Sequence, residues 1–171
     1  MTEREGGITR QQADTASGDC LSHVTLDERL INPLSHDSGR DRKIAIYDLL
    51  QENHFKVVGG PGGPYKLHID KQENRLILTI SANSGAYSRT LILSRSPFRR
   101  IMKDYDALLE SYNDAIRHAP PSRIEAIDMG RRGLHDEGSR ILQERLEGKV
   151  IIDFATARRL FTLICAVFWK R

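Results

Sequence analysis

Cysteine is scarce: the 171 residues include two, Cys20 and Cys165, in no CxxC arrangement. Neither a disulfide framework nor a cysteine-rich metal site is expected. Cys165, inside the apolar run Leu163-Ile164-Cys165-Ala166-Val167, reads as a small buried hydrophobe. Long apolar runs are missing too. No stretch approaches the roughly 20 apolar residues that span a bilayer, and the N-terminus lacks the basic-then-apolar layout of a secretory signal. The expected setting is the cytoplasm, without a membrane partner. Aromatic residues are only 6% of the chain, with one tryptophan, so stacking platforms for bases are few. Tyr105 and Tyr112 fall on an apolar helix face and acidic residues interleave the basic ones, so nucleic acid is not an expected partner.

The spacings that announce known chemistries are absent as well. The histidines, at 23, 36, 54, 68, 118 and 135, form no HxH or HExxH pattern, and no G-x-S-x-G elbow or Cys-His signature occurs. The glycine-rich run 59–64 lacks the lysine and hydroxyl ending of a phosphate-binding loop and reads as a hinge. No metal and no cofactor is expected.

What is present is an ordinary globular balance, 39% apolar and 29% charged, enough for one compact domain. Residues 1–19 offer only Met1 and Ile8 as sizeable apolar side chains and read as a disordered tail, leaving 20–171 as a single domain. Residues 1–40 carry four basic and seven acidic side chains, so the net +3 of the chain resolves into −3 there and +6 over 41–171. That excess permits an acidic protein partner or a small anionic ligand without requiring either.

Alternation predicts strands at 21–27, 65–70, 76–81 and 90–94. Residues 41–54 switch to helical spacing, with Ile44, Ile46, Tyr47, Leu49 and Leu50 on one face. Ser96-Pro97 predicts a helix start with Ser96 as N-cap, and Ile101, Tyr105, Leu108, Tyr112 and Ile116 then mark one face of a long helix ending before Pro120. Ser122 and Glu125 form a capping box that opens a third helix, with Gly148 as its C-terminal cap. Val150 to Ile152 suits a short strand, and Asp153 caps a last helix whose Phe154, Ala157, Leu160, Phe161, Ile164 and Phe168 face the core. The fold class is α+β: a small, mostly antiparallel sheet packed by three C-terminal helices, in the order β-α-β-β-β-α-α-α.

The strings Ile44-Ala-Ile-Tyr-Asp-Leu-Leu50, Gly63-Pro-Tyr-Lys-Leu-His68 and Pro97-Phe-Arg-Arg100, with residues 124–138 and Ala157-Arg-Arg-Leu-Phe-Thr-Leu-Ile-Cys165, resemble a family of short bacterial proteins, UPF0262. The likeness covers most of the chain after residue 21. It implies a bacterial cytoplasmic protein and carries over no catalytic residue.

The best functional candidate is the segment 128–138, whose charges, imidazole and three glycines interrupt a regular helical pattern, each glycine costing about 1 kcal/mol against alanine. In one continuous helix Asp128, Arg132, His135 and Ser139 share a strip with Arg131 beside it. Asp128 would then orient His135 and raise its pKa while the arginines bind an anion. The plainer alternative is an Asp128–Arg132 pair, with Arg131 and His135 covering the edge of the core. Gly130 and Gly133 favour a break into two helices, whereas Gly138 lies on the apolar stripe, where a missing side chain admits a close neighbour. Arg99 and Arg100, with Ser94 and Ser96, surround the Pro97 helix start, a second anion candidate beside simple capping. Arg158, Arg159, Trp169, Lys170 and Arg171 flank the last helix, which reads as packing onto the sheet more readily than as a membrane-surface pattern.

The expectation is a non-enzymatic adaptor or regulator binding an acidic or phosphorylated partner. The alternative is a small enzyme or sensor for a phosphorylated metabolite, acting through the Arg131, Arg132, His135 and Asp128 cluster.

Overall fold

A computed structural model describes residues 18–30 and 36–168. The element order is β1 (Leu21–Leu26), α1 (His36–Gln51), β2 (Phe55–Val57), β3 (Tyr65–Gln72), β4 (Arg75–Ala82), β5 (Ser88–Ser94), α2 (Arg99–His118), α3 (Pro121–Leu146), β6 (Val150–Ile152) and α4 (Phe154–Phe168). The tail expected over 1–19, apart from Gly18 and Asp19, lies outside the described residues, as do 31–35, which hold Asn32-Pro33-Leu34, and 169–171. Asp19 accepts the Phe55 N–H at its carbonyl, 2.9 Å, and the Gly63 N–H at its side chain, 3.3 Å.

Four strands form one sheet in the order β1-β3-β4-β5, and β2 pairs with β6 in a second, two-stranded sheet. β1 runs parallel to β3, and every other pairing is antiparallel. The α+β class and the three packed C-terminal helices are as expected. β6 forms where a short strand was expected, at Val150–Ile152; the addition is β2, whose three residues are too few to show a period and whose register exists only because β6 returns from almost a hundred residues downstream. Strand alternation places Leu67 and Ile69 of β3, Leu78 and Ile80 of β4, and Leu91 and Leu93 of β5 inside. They join Leu142 and Leu146 of α3 and Leu160, Phe161 and Leu163 of α4 in one core. No described helix is long and apolar enough to cross a membrane.

The helix ends follow local chemistry, with two corrections. Thr156 donates its N–H to the Asp153 carboxylate at 2.9 Å, the expected cap of α4. Gly148 takes φ +77° just past α3, a left-handed turn that glycine enters without a Cβ clash. Ser96, expected as N-cap, instead lies inside a 3-10 turn preceding α2, and its own N–H is accepted by Ser94 Oγ at 3.2 Å. The capping box at Ser122 and Glu125 does not form as a cap: α3 begins at Pro121, which needs no N–H partner, and its cap position is Pro120.

α1 corrects the sequence pattern further. Ala45, Leu49 and Leu50 are buried, while Ile44 and Tyr47 are 48% and 51% exposed. The buried strip is narrower than the apolar one, and it includes Arg42, which donates to the Leu30 carbonyl at 3.1 Å. Phe154 is likewise more exposed than its position in the apolar series implies, and the Phe168 side chain lies outside the described residues.

Candidate functional site

α3 is one unbroken helix from Pro121 to Leu146, so the break at Gly130 and Gly133 does not occur. An alanine methyl at Gly130 would meet Leu108 at an ordinary 3.4 Å, and at Gly133 it would meet nothing within 4 Å. Gly138 is different. A Cβ there would lie 2.2 Å from the ring of Phe161, so the missing side chain is what lets α4 pack against α3.

Continuity brings 128, 131, 132 and 135 onto neighbouring turns, but their side chains part ways. Asp128 accepts from Arg131 at 3.0 Å through one carboxylate oxygen and pairs with Arg132 at 3.1 Å through the other. Two guanidiniums share one carboxylate, which leaves the flank with net positive charge and engages Asp128 away from His135. Ser139 is buried and donates to the His135 carbonyl at 2.6 Å, while Arg132 points to solvent. The plainer local pairing is thus what forms around Asp128.

The His135 ring is held instead by aromatic edges, 5.4 Å from the Tyr105 centroid and 5.6 Å from that of Phe161. Burial lowers its pKa below the ordinary imidazole value, the positive charges of Arg131 and Arg158 lower it further, and Asp136 opposes them in part. The direction is opposite to the one expected from an Asp128 partner, because desolvation penalises the imidazolium. Arg158 of α4 pairs with Asp136 at 2.6 Å, tying α4 to α3 one residue beyond the imidazole. Burial also raises the Tyr105 phenol and pushes up the Cys165 thiol, so neither is a ready nucleophile at neutral pH.

These groups line a concave groove of about 440 Å³ where four helices meet. Asp41, Ile44, Ala45 and Asp48 form the α1 wall, Tyr105, Arg131 and His135 the α2 and α3 wall, and Thr162, Cys165 and Ala166 the α4 floor. A smaller hollow of about 110 Å³ lies between α2 and α3, bounded by Tyr105, Leu108, Leu109, Tyr112, Ile127, Asp128 and Arg131. Tyr105 and Arg131 line both hollows. Asp41, Asp48 and Thr162 were not legible as site residues, since no motif joins α1 to α4. The only trace was an apolar face on α1 wider than its core contact needs, with Ile44 to spare.

Arg99 and Arg100 stand elsewhere. Arg100 pairs with Asp104 at 3.3 Å and with Glu137 of α3. Arg99 lines a separate hollow of about 320 Å³ with Arg95, Lys103 and Asp106. The two arginine candidates at the start of α2 are therefore split from each other and from His135.

One polar network went unseen in the sequence. The parallel register of β1 and β3 sets Thr25 opposite His68, with Thr25 Oγ1 2.8 Å from His68 Nδ1. His68 Nε2 lies 3.9 Å from Asp27, and Arg29 bridges Asp27 at 2.8 Å and Asp70 at 2.6 Å. Hydrogen bonding from Arg29 holds the Asp27 carboxyl below its ordinary range. Alternation turns Thr25 and His68 off the core face while Asp70 is buried, and only the pairing of two strands more than forty residues apart brings the group together. Among the described residues no group of three or more His, Cys, Asp or Glu is disposed to hold a metal ion.

The chain is similar to proteins from several bacteria. The model of a family described as "Uncharacterised protein family (UPF0262)" matches residues 18–170. A UPF0262 protein of Xanthobacter autotrophicus is 58% identical over 151 residues, covering 88% of this chain and 92% of the relative. One from Rhodopseudomonas palustris is 55% identical over 160 residues, 94% of this chain and 98% of its own. A third, from Rhizobium meliloti, is 53% identical over 150 residues, 88% and 94% respectively. No solved structure matches.

Proposed function

The chain belongs to the uncharacterised family UPF0262, and from the groove we propose that it is a non-enzymatic adaptor or regulator working in the cytoplasm. Its partner presents an acidic or phosphorylated group to Arg131. The observation that carries this reading is the sharing of the Asp128 carboxylate by Arg131 and Arg132. One carboxylate shared between two guanidiniums leaves this flank of the groove with an excess positive charge that suits an anion, and Asp128 is engaged there and not with His135. Asp41 and Asp48 on the facing wall suit a partner segment that also carries a cation, and Ile44, Ala45 and Ala166 suit its apolar body.

The test is capture from an extract of the source bacterium on immobilised chain, comparing wild type, Arg131→Ala and, as a surface control, Arg123→Ala. A protein retained by wild type and Arg123→Ala but lost with Arg131→Ala is the expected result. Retention unaffected by Arg131→Ala, or no reproducible partner at low and physiological salt, defeats the adaptor reading.

The concavity of the groove favours one second reading, a sensor or small enzyme for a phosphorylated metabolite, since about 440 Å³ falls in the range of small-molecule sites. A ligand at 100 times its Kd stabilises a fold by about 2.7 kcal/mol, so a thermal-shift screen of nucleotides and sugar phosphates detects it. A shift that survives both Arg131→Ala and His135→Ala rules this reading out.

A further inference from the structure

The geometry points to an anion site separate from the groove: the hollow beside the start of α2 takes the phosphate group of a small phosphate monoester. The hollow measures about 320 Å³ and is lined by Asn74, Arg95, Arg99, Met102, Lys103 and Asp106, a size at the lower end of small-molecule sites. Three cations there meet one carboxylate, an excess of two positive charges. Arg95 and Arg99 enter no ion pair among the described residues, whereas neighbouring Arg100 is held by Asp104 and Glu137. The Arg95 guanidinium donates through Nε to Met102 Sδ at 3.3 Å. A thioether is a weak acceptor, so this contact positions the arginine without neutralising it.

Local structure gathers these charges, and the fold does not offset them. Arg95 has helical φ and ψ, −71° and −22°, and its N–H donates to the Asn74 carbonyl at 2.9 Å, which pins it to the turn between β3 and β4. The turn into α2 thus continues the helical path, and Arg95, Arg99 and Lys103, four residues apart, stack on one flank, where like charges repel. They also stand at the positive end of the helix dipole. Yet the cap position of α2, Phe98, supplies no side-chain bond, and the first turn holds no acidic residue. A phosphate monoester brings about two negative charges at neutral pH and three acceptor oxygens, which matches both the excess charge and the forked guanidinium donors. No aromatic side chain lines the hollow, so the fit is to a phosphate on a short polar body and not to a nucleotide base. Arg131 plays no part, and the inference does not rest on the adaptor reading.

Amide NMR on the full chain, titrated at constant ionic strength with inorganic phosphate at about pH 7.5, where the dianion dominates, tests it. The expected result is saturable shifts at the Asn74, Arg95 and Arg99 amides, repeated by glycerol phosphate with at least equal affinity and not by acetate. Arg99→Gln weakens binding about tenfold, the loss of one charge-assisted hydrogen bond, while Arg123→Gln, near the far end of α2, leaves it unchanged. A second readout needs no ligand. Arg99→Glu puts an acid into the first turn, so the free protein gains thermal stability while phosphate binding is lost. Shifts still linear at about 50 mM phosphate, shifts that acetate reproduces, or failure of glycerol phosphate to bind overturns the inference. So does an Arg99→Gln chain that binds like wild type, or an Arg99→Glu chain less stable than wild type. Shifts confined to residues 128–135 assign the phosphate to the Arg131 groove and overturn this site. Its failure leaves Arg131-dependent capture untouched.

Discussion

Gly138→Ala is the sharpest test of how α3 and α4 build the candidate site. The new methyl would stand 2.2 Å from Phe161 Cζ and 2.5 and 2.6 Å from the two Cε atoms, far inside any real contact. Phe161 cannot swing aside, because it is 1% exposed, with its ring stacked on Phe98 at 6.0 Å and edge-on to His135 at 5.6 Å. Overpacking of this kind costs about 1–3 kcal/mol, and a ring enclosed on all sides places the cost at the upper end. Alanine recovers about 1 kcal/mol of helix propensity, so the net loss is about 2 kcal/mol, a fall in Tm of about 4–8 °C for a chain of this size. Gly133→Ala, with nothing within 4 Å, carries the propensity gain alone and raises Tm by about 2–4 °C. The assay is calorimetric unfolding of both variants beside wild type, with the His135 ring resonances followed by NMR. Two variants on one helix thus move in opposite directions, and only Gly138→Ala displaces the imidazole signals. If Gly138→Ala is as stabilising as Gly133→Ala, Phe161 does not occupy that space and the packing that positions His135 is wrong.

Three further outcomes follow from the same coordinates. His135 titrates below 6.5 by NMR, and Arg131→Ala brings its pKa back toward that value by removing a repelling charge. Because the folded state binds this proton less readily than the unfolded chain, the stability His135 contributes is complete above pH 6.5 and is lost as pH falls through the lower folded pKa. His135→Phe should flatten that part of the stability profile, and an unchanged profile contradicts the assignment. Asp153→Ala removes the α4 cap and costs about 1 kcal/mol in denaturant unfolding, whereas Asp153→Asn costs clearly less. Asn53→Ala removes the amide that accepts from the Leu21 N–H and donates to the Leu21 and Leu49 carbonyls, at about 1–3 kcal/mol. A loss within a few tenths of a kcal/mol would mean that water replaces it.

Strands β3, β4 and β5 were legible because each is long enough for apolar alternation to show, and their hairpins are closed by the local turns 72–75 and 82–88. The helices were legible from 3.6-residue spacing, with Asp153 marking where the last begins and Ser96-Pro97 opening only the short 3-10 turn that leads into α2. The parallel pairing of β1 with β3 and the β2–β6 ladder were not, since register between distant segments leaves no period in either one. At the candidate site, helical spacing put Asp128, Arg131, Arg132 and His135 on neighbouring turns, and Asp128 with Arg132 was read as a local pair beside the competing Asp128–His135 arrangement. Spacing alone could not choose between them, because both partners lie within reach along the helix.

The sequence by itself determined the helices, the longer strands and which residues of α3 carry charge, since propensity, period and capping act within a few residues. Only tertiary structure decided that α3 runs unbroken past Gly130 and Gly133, that His135 is buried between two rings with its pKa lowered, and that Asp41 and Asp48 line the groove opposite Arg131. Burial and long-range packing govern these outcomes: the fate of an imidazole depends on which helices close around it, and those helices are brought there by core residues far along the chain.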